Sequence, residues 1–154
     1  MTDGKYLSVR LGQESFGFDV MTVQEIVVAQ AIRQIPGTPQ YVRGVTNLRG
    51  KIVPVFDLQM RLGMARHDIS STTCIVIFDV LEEPCGVLVD EIYGVVELTK
   101  DQIDAPPAIQ AHVPKQLITG FARLDDDNTA LLLLDPRLVL TLPPDQLHRQ
   151  GPLP

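Results

Sequence analysis

The chain has 154 residues and a formal net charge of −6, and 45% of its residues are hydrophobic, 21% charged and 5% aromatic. This composition is typical of a folded globular protein and excludes a disordered chain. Apolar runs such as 74–78 and 130–134 are far shorter than the roughly 18 residues of a membrane-spanning helix. Basic residues do not cluster, which argues against a nucleic-acid partner. The first residues lack a signal-peptide pattern, so we expect no direct membrane insertion and a cytoplasmic location.

Short segments rich in Val, Ile, Leu and Phe lie between 11 glycines and 12 prolines, and most are too short for ordinary helices. Several alternate polar and apolar residues, as residues 6–11 do, so one face is expected to meet a core and the other water. The sequence therefore favours a mostly β fold. The predicted strands are 5–11, 14–19, 23–28, 32–35, 42–48, 51–57, 73–80, 83–89, 95–98, 118–124 and 129–134.

Three short helices are predicted, at 21–25, 58–62 and 136–140. The last two directly follow Asp57 and Asp135, whose carboxylates can accept hydrogen bonds from the first free N–H groups of a helix. Many short strands separated by turns indicate a small closed or nearly closed β architecture, and they disfavour a parallel sheet with crossover helices.

Three segments of the first half of the chain recur in the second half, in the same order and at similar offsets. The matched segments are 16–23 with 85–92, 42–45 with 118–121 and 52–57 with 130–135. We predict one domain over residues 1–142, built from two similar β subdomains of about 5–62 and 73–140. Whether these halves exchange strands is left open. Four prolines among residues 143–154 predict a disordered tail.

The sequence offers no recognisable catalytic or cofactor-binding motif. It lacks a nucleophile elbow, a phosphate-binding loop and a dinucleotide glycine pattern. His67, His112 and His148 lie far apart, which disfavours a zinc site, and the acidic run 125–128 is typical of a hairpin turn, since it lacks calcium-loop spacing. We therefore predict no enzyme activity, metal or cofactor. A small-molecule-binding or enzymatic β barrel is the alternative class, and it would need convergent polar groups in a pocket.

One segment, residues 41–58, stands out from this background. It is predicted as strand, turn and strand, with the bend at 47–50, where Asn and Gly tolerate positive φ. Arg49 lies in this bend, and Glu25 is a candidate partner whose carboxylate could receive the forked guanidinium. The alternative interpretation makes Arg49 an ordinary solvated turn residue. Because exposed ion pairs add little stability, a role for the pair would point to contact with a partner.

These residues resemble the signature of the CheW family, the coupling proteins of bacterial chemosensory systems. The resemblance covers residues 5 to about 141 and is most specific at Gly44-Val45-Thr46-Asn47-Leu48-Arg49-Gly50. Phe56, where a smaller aliphatic residue is common, and Cys85, at a usually larger or aromatic position, depart from the family pattern, and we expect both in the core. The other matching segments are 6–7, 16–20, 23–26, 35–39, 52–55, 86–90, 117–120 and 133–135.

The resemblance implies two intertwined five-stranded SH3-like β-barrel subdomains with a few short helices. It also implies a non-catalytic adaptor that couples the cytoplasmic tips of chemoreceptors to the regulatory domain of a CheA-type histidine kinase, at membrane-associated receptor arrays. Other CheW-like domains, arranged in rings, are a further implied partner. The alternative within the same fold is an adaptor of a non-flagellar pathway, serving twitching motility or second-messenger output.

Residue by residue, the resemblance also implies a partner-binding set. An apolar groove between the subdomains is expected to receive a receptor helix by its regularly spaced anchors. The division of the set between kinase and receptor is left open. The residues that match family positions associated with partner binding are Val20, Val23, Glu25, Gly44, Asn47, Leu48, Arg49 and Gly50.

Overall fold

A computed structural model describes residues 3–29, 32–65, 68–80, 82–105, 117–124 and 130–140. Short strands dominate these residues, as the sequence predicts. They are β1 (Gly4–Leu11), β2 (Glu14–Asp19), β3 (Val23–Val28), β4 (Val42–Leu48), β5 (Lys51–Asp57), β6 (Cys74–Phe78), β7 (Cys85–Val89), β8 (Glu91–Leu98), β9 (Ile103–Asp104), β10 (Ile118–Arg123) and β11 (Ala130–Leu134).

Helices are brief and begin where carboxylates can cap them. Helix α1 (Leu58–Arg61) follows Asp57, whose carboxylate accepts a hydrogen bond from the Met60 N–H at 3.2 Å. Helix α2 (Pro136–Leu140) follows Asp135, which accepts from the Arg137 N–H at 2.9 Å. Both predicted helix starts are confirmed.

Three local predictions are wrong. Residues 32–35 do not form a strand, because Pro36 and Gly37 interrupt the extended chain and leave a single bridge at Arg33. The helix expected at 21–25 is a three-residue 3-10 turn, Val20–Thr22, since the β-branched run that starts at Val23 pairs as a strand. Strand β8 begins earlier than predicted, at Glu91.

The strands form two sheets, each drawn from both halves of the chain. The six-stranded sheet has the order β8-β1-β2-β11-β10-β9, and the five-stranded sheet has the order β3-β6-β7-β5-β4. The pairs β2/β11 and β5/β7 are parallel, and the other ladders are antiparallel. After β2 the chain crosses to the second sheet, and after β7 it crosses back.

The expected five-stranded barrels need correction in two respects. One sheet has six strands, because the two-residue β9 adds to β10. Among the described residues no ladder joins the edge strands of either sheet, so neither sheet is a closed barrel. The edges nevertheless approach each other. The chain beyond β3 bridges back to β4 through two hydrogen bonds between Arg33 and Val45, of 2.8 and 2.9 Å, and β9 follows β8 after a single 3-10 turn.

The strand registers confirm the internal repeat. Gly17 of β2 lies opposite Leu133 of β11, and Gly86 of β7 lies opposite Val55 of β5. Gly17 and Gly86 hold the same place in their matched segments, and so do Val55 and Leu133. At both glycines, neighbouring side chains occupy the space that a Cβ would need. A Cβ would lie 2.9 Å from Leu133 Cδ2 at Gly17 and 2.6 Å from Ile75 Cγ2 at Gly86.

The apolar core has a central part and two flanking parts. The central cluster lies between the sheets, where Phe18 of the first sheet packs against Phe78 of the second with ring centroids 4.9 Å apart. Phe56 and Cys85 are buried in it, as expected. A second cluster belongs to the five-stranded sheet and contains Leu48, Val53, Val55, Ile75, Ile77 and Leu88. A third belongs to the six-stranded sheet and contains Tyr6, Leu98, Ala122, Leu131 and Leu133.

Candidate functional site

The hairpin between β4 and β5 closes through a two-residue loop, Arg49 and Gly50. Their φ angles are 53° and 83°, both positive, as in the type I′ turns that suit the twist of paired strands. Arg49 is the one non-glycine residue with positive φ among the described parts of the chain. The side-chain oxygen of Asn47 accepts a hydrogen bond from the Gly50 N–H at 2.8 Å. The turn therefore presents an arginine from a backbone conformation that arginine rarely adopts.

The Arg49 guanidinium binds the Glu25 carboxylate with both ends of its fork. Nη1 donates to Oε1 at 2.9 Å, and Nη2 donates to Oε2. This hydrogen bonding is the main reason that the pKa of Glu25 lies below its usual range, and it raises the pKa of Arg49. The Arg49 side chain is 68% exposed and that of Glu25 is 24% exposed. The pair thus spans from β3, one edge of the five-stranded sheet, to the β4–β5 turn at the other.

A bulge in β3 decides where the Glu25 side chain lies. Val23 pairs with Phe78 and packs against the central cluster, whereas the next paired residue, Glu25, lies opposite Ile77 of the second cluster. Val27, two positions on, packs on that second cluster too. Glu25 therefore lies on the same face of the five-stranded sheet as Val27, the face that carries the second cluster. From there its carboxylate reaches the Arg49 turn at the opposite edge of the sheet.

Apolar side chains lie exposed on the strands that carry this pair. Ile26 and Val28 of β3 are 40% and 69% exposed, and Ile52 of β5 is 62% exposed. Ile52 lies directly opposite Asn47 in the β4–β5 ladder. The partner-binding prediction did not include these residues. Period-two alternation identifies Ile52, since its neighbours Val53 and Val55 face inward.

The structure separates the eight predicted site residues into three groups. Glu25, Asn47, Arg49 and Gly50 lie together at the turn. Gly44 and Leu48 are buried in β4. Val20, in the 3-10 turn before β3, and Val23, the first residue of β3, are half-buried, and Val23 packs against the central cluster. The role of each in partner binding stays a prediction.

Gly44 is buried because the bridge to Arg33 passes directly over it. Its φ is 140°, and a Cβ at this position would lie 2.0 Å from the Arg33 carbonyl oxygen. The register of β4 against β5 also shifts between Val42 and Gly44, and the β10–β11 ladder has the same shift before Gly120. The glycine therefore lets the sheet edge fold back onto β4.

A shallow open cavity of about 400 Å³ lies beside the connection between β3 and β4. The charged side chain in its lining, Arg43, pairs at 3.3 Å with Asp57, which is fully buried. This guanidinium is thus engaged within the protein. The lining residues are Gln34, Ile35, Pro36, Gly37, Thr38, Pro39, Gln40, Val42, Arg43 and Met60.

The described residues contain neither a cluster of metal ligands nor a membrane-spanning helix. In the described parts of the chain, no three His, Cys, Asp or Glu side chains come together as a metal site would require. Within the same residues, no helix has the length and hydrophobicity to cross a membrane. The three histidine positions His67, His112 and His148, the acidic run 125–128 and the tail 143–154 lie outside the described residues.

Comparison with known proteins identifies the family to which this two-sheet fold belongs. The family model described as CheW-like domain matches residues 5–143, so the chain belongs to the CheW-like domain family. It is 31% identical over 131 residues to the chemotaxis protein CheW of Klebsiella aerogenes, covering 85% of this chain and 78% of that protein. It is also 31% identical over 133 residues to the chemotaxis protein CheW of Treponema pallidum, covering 84% and 77%.

A solved structure has the same fold over nearly the whole chain. The crystal structure of the scaffolding protein TtCheW from Thermoanaerobacter tengcongensis superposes with a TM-score of 0.82 at 29% sequence identity. The superposition covers 92% of this chain and 94% of that one. The mostly β, two-sheet architecture is therefore that of a CheW protein.

Proposed function

We propose that the chain is a chemotaxis adaptor that couples chemoreceptors to a CheA-type histidine kinase. The relatives named as chemotaxis CheW proteins and the CheW scaffolding structure support this assignment. The partners are the regulatory domain of the kinase and the cytoplasmic tips of the receptors. The adaptor acts in the cytoplasm and is held at receptor arrays through these contacts.

The single observation that carries the proposal is the forked ion pair between Arg49 and Glu25. Arg49 is 68% exposed and adopts a φ of 53°, so the turn holds a non-glycine residue in a disfavoured conformation without burying it. Backbone conformations of this kind persist where function requires them. Since an exposed pair adds little stability, its use lies at a surface that a partner reads.

Exposed apolar side chains on neighbouring parts of the same hairpin and strand suit a protein partner. Ile52 and Val28 are more than half exposed on the strands that bear the pair. Protein interfaces combine such apolar centres with charged rims that set orientation. Val23 packs against the cluster between the sheets, and an amphipathic receptor helix would insert its anchors beside Val20 and Val23.

The adaptor acts by binding and carries out no reaction. The scaffolding role of TtCheW supports this interpretation. A catalytic alternative would show turnover of a substrate that is lost when a residue lining the 400 Å³ cavity is changed.

The test is a titration of the labelled chain with the regulatory domain of a CheA from the same genome. Wild type is compared with Arg49→His and Glu25→Lys after circular dichroism confirms that all are folded. Arg123→His is the matched control, because Arg123 also forms an exposed ion pair, at 3.0 Å with Asp104, but on the six-stranded sheet. The titration is repeated with a cytoplasmic receptor-tip fragment from the same genome. We expect both turn variants to bind the kinase domain or the receptor fragment more weakly and the control to bind normally.

Each result has a distinct meaning. Weaker kinase binding by Arg49→His assigns Arg49 to the kinase contact. Normal kinase binding combined with weaker receptor binding assigns it to the receptor. If wild type binds neither partner, the coupling function is wrong and this CheW-like fold serves another partner.

A further inference from the structure

The Asn47 side chain is engaged within the β4–β5 turn. Its oxygen accepts the Gly50 N–H at 2.8 Å, and this donor belongs to the peptide group that joins Arg49 to Gly50. Because a peptide group is planar, fixing its N–H direction also restricts the ψ angle of Arg49. Asn47 therefore acts on the backbone conformation from which the guanidinium extends.

Arg49 has little intrinsic reason to hold that conformation. Type I′ turns favour Asn, Asp or Gly at the first loop position, and Arg49 occupies it with a φ of 53°. The open space around Gly50, with no heavy atom within 4 Å of a Cβ placed there, means that packing does not hold the turn. Besides the Leu48–Lys51 pair that closes the loop, the hydrogen bond that the Asn47 side-chain oxygen accepts from the Gly50 N–H supplies a restraint within the turn itself.

We propose that Asn47 is a positioning residue, which holds the turn so that the Arg49 guanidinium stays forked on Glu25. The effect of Asn47 on a partner is then indirect and passes through Arg49. Only this last step rests on the proposed function. A hydrogen bond of this class changes the ratio of the clamped turn to the open turn by roughly two- to ten-fold.

The test measures the pKa of Glu25 by NMR titration of its side-chain carboxyl carbon in the full chain. Arg49→Ala defines the pKa of Glu25 without its partner. Asn47→Ala removes the acceptor, and we expect it to raise the pKa of Glu25 measurably toward the Arg49→Ala value. A general loss of stability would not produce this shift, because the titration reports on the folded protein alone.

The acceptor-retaining variant Asn47→Asp is the rescue control, and we expect a pKa of Glu25 close to that of wild type. All variants are measured at low salt and again in about 1 M salt, where charges are screened within roughly 3 Å, so that the contribution of the charge added by Asn47→Asp can be separated. If Asn47→Ala does not fold, Asn47→Val removes the same acceptor from a residue type that favours strands.

An unchanged pKa of Glu25 in both acceptor-free variants, with a raised pKa in Arg49→Ala, would overturn the proposal. Kinase binding separates this inference from the coupling function. A raised pKa of Glu25 with unchanged binding supports the positioning role and counts against the coupling role of the pair.

Discussion

The two halves of the chain build the same β unit but treat one corner of it differently. In the first half, Glu25 of β3 pairs with Arg49 of the β4–β5 turn. In the second half, the alignment of 16–23 with 85–92 places Gly94 of β8 at the position of Glu25. Gly94 pairs with Ser8 of β1 in the same way that Glu25 pairs with Ile77 of β6. The sequence that aligns with Arg49 in the second half is Asp-Asp-Asp-Asn at 125–128, which lies outside the described residues.

What the halves share is what the fold requires. Both keep a glycine in the parallel ladder, a bulge in the outer ladder and a capping aspartate before the short helix. The second half forms its sheet with Gly94 in place of Glu25, so this β unit does not depend on a carboxylate at that position. The pair is thus a feature of surface chemistry added to a common scaffold.

The capping aspartates of the two halves differ in their burial and partners. Asp57 is fully buried and pairs with Arg43, whereas Asp135 is half-buried. Thr119 corresponds to Arg43 in the second half, and its hydroxyl donates to the Leu133 carbonyl at 3.2 Å. Asp57 therefore caps a helix and forms a buried ion pair with Arg43, whereas Asp135 caps a helix and pairs at 3.8 Å with the exposed Arg137.

Of the substitutions in the first half of the chain, Gly44→Ala should lower the unfolding free energy most. The new Cβ would lie 2.0 Å from the Arg33 carbonyl oxygen at a φ of 140°, so clash and backbone strain add to roughly 4 kcal/mol of lost unfolding free energy. Gly50→Ala is the control for φ alone, because its φ is 83° and the space around it is empty, and we expect about 1 kcal/mol. Urea unfolding measures both, and equal losses would contradict the clash.

Asp57→Ala and Asp135→Ala sharpen the comparison between the caps. Removing Asp57 leaves Arg43 without this carboxylate and α1 without its cap, so we expect a loss of about 3 kcal/mol. Removing Asp135 deletes a cap at a partly exposed helix and should lower the unfolding free energy by about 1 kcal/mol. Chemical denaturation of both variants tests the order, and equal losses would show that burial of the Arg43–Asp57 pair is unimportant.

Gly86→Ala and Gly17→Ala compare the two parallel ladders. At Gly86 the added methyl would meet the stiff, β-branched Ile75 at 2.6 Å, and we expect a loss of about 2 kcal/mol. At Gly17 it would meet the end of the more flexible Leu133 side chain at 2.9 Å, and we expect about 1 kcal/mol. Thermal unfolding with a matched pair of variants measures the difference. A larger loss at Gly17 would show that Leu133 cannot move aside.

The pH dependence of the Glu25–Arg49 pair should be the smallest effect. The pKa of Glu25 is lowered in the folded protein, so its contribution is present above the ordinary glutamate pKa and is lost as the pH falls through the lowered value. The difference in unfolding free energy between wild type and Arg49→Ala should therefore shrink between pH 7 and about pH 3. Glu25→Gln, which cannot ionise, should remove this dependence, and its persistence would assign the titration to another group.

Local features of the fold could be predicted from the sequence, and long-range pairing could not. Alternation placed most strands, and the aspartates before 58 and 136 marked both helix starts. The alternation of β3 is the same whichever sheet it joins, so its pairing with the distant strand β6 left no local signal. The burial of Gly44 depends on a bridge to Arg33, and the two-residue β9 is too short for a periodic pattern.

The parts of the candidate site that depend on local sequence could be predicted. The turn chemistry of Asn47 to Gly50 indicated positive φ, and Arg49 with Glu25 was a possible ion pair. The exposure of Ile26 and Val28 was not evident, because their apolar character is equally typical of a core strand. Their position at a sheet edge, which only the tertiary structure determines, leaves them exposed.

The crossing of β3 and β8 between sheets has a consequence for how the chain assembles. Each half supplies a hairpin, β1–β2 or β6–β7, to the sheet whose other strands come from the other half, as two subunits do in a domain-swapped dimer. The chain is therefore equivalent to such a dimer joined by a linker. We expect fragments cut within the described 68–73 connection to be unfolded alone and to fold when mixed. Because most native pairings join distant residues, folding of the intact chain should be slow for its size, on the order of milliseconds to seconds.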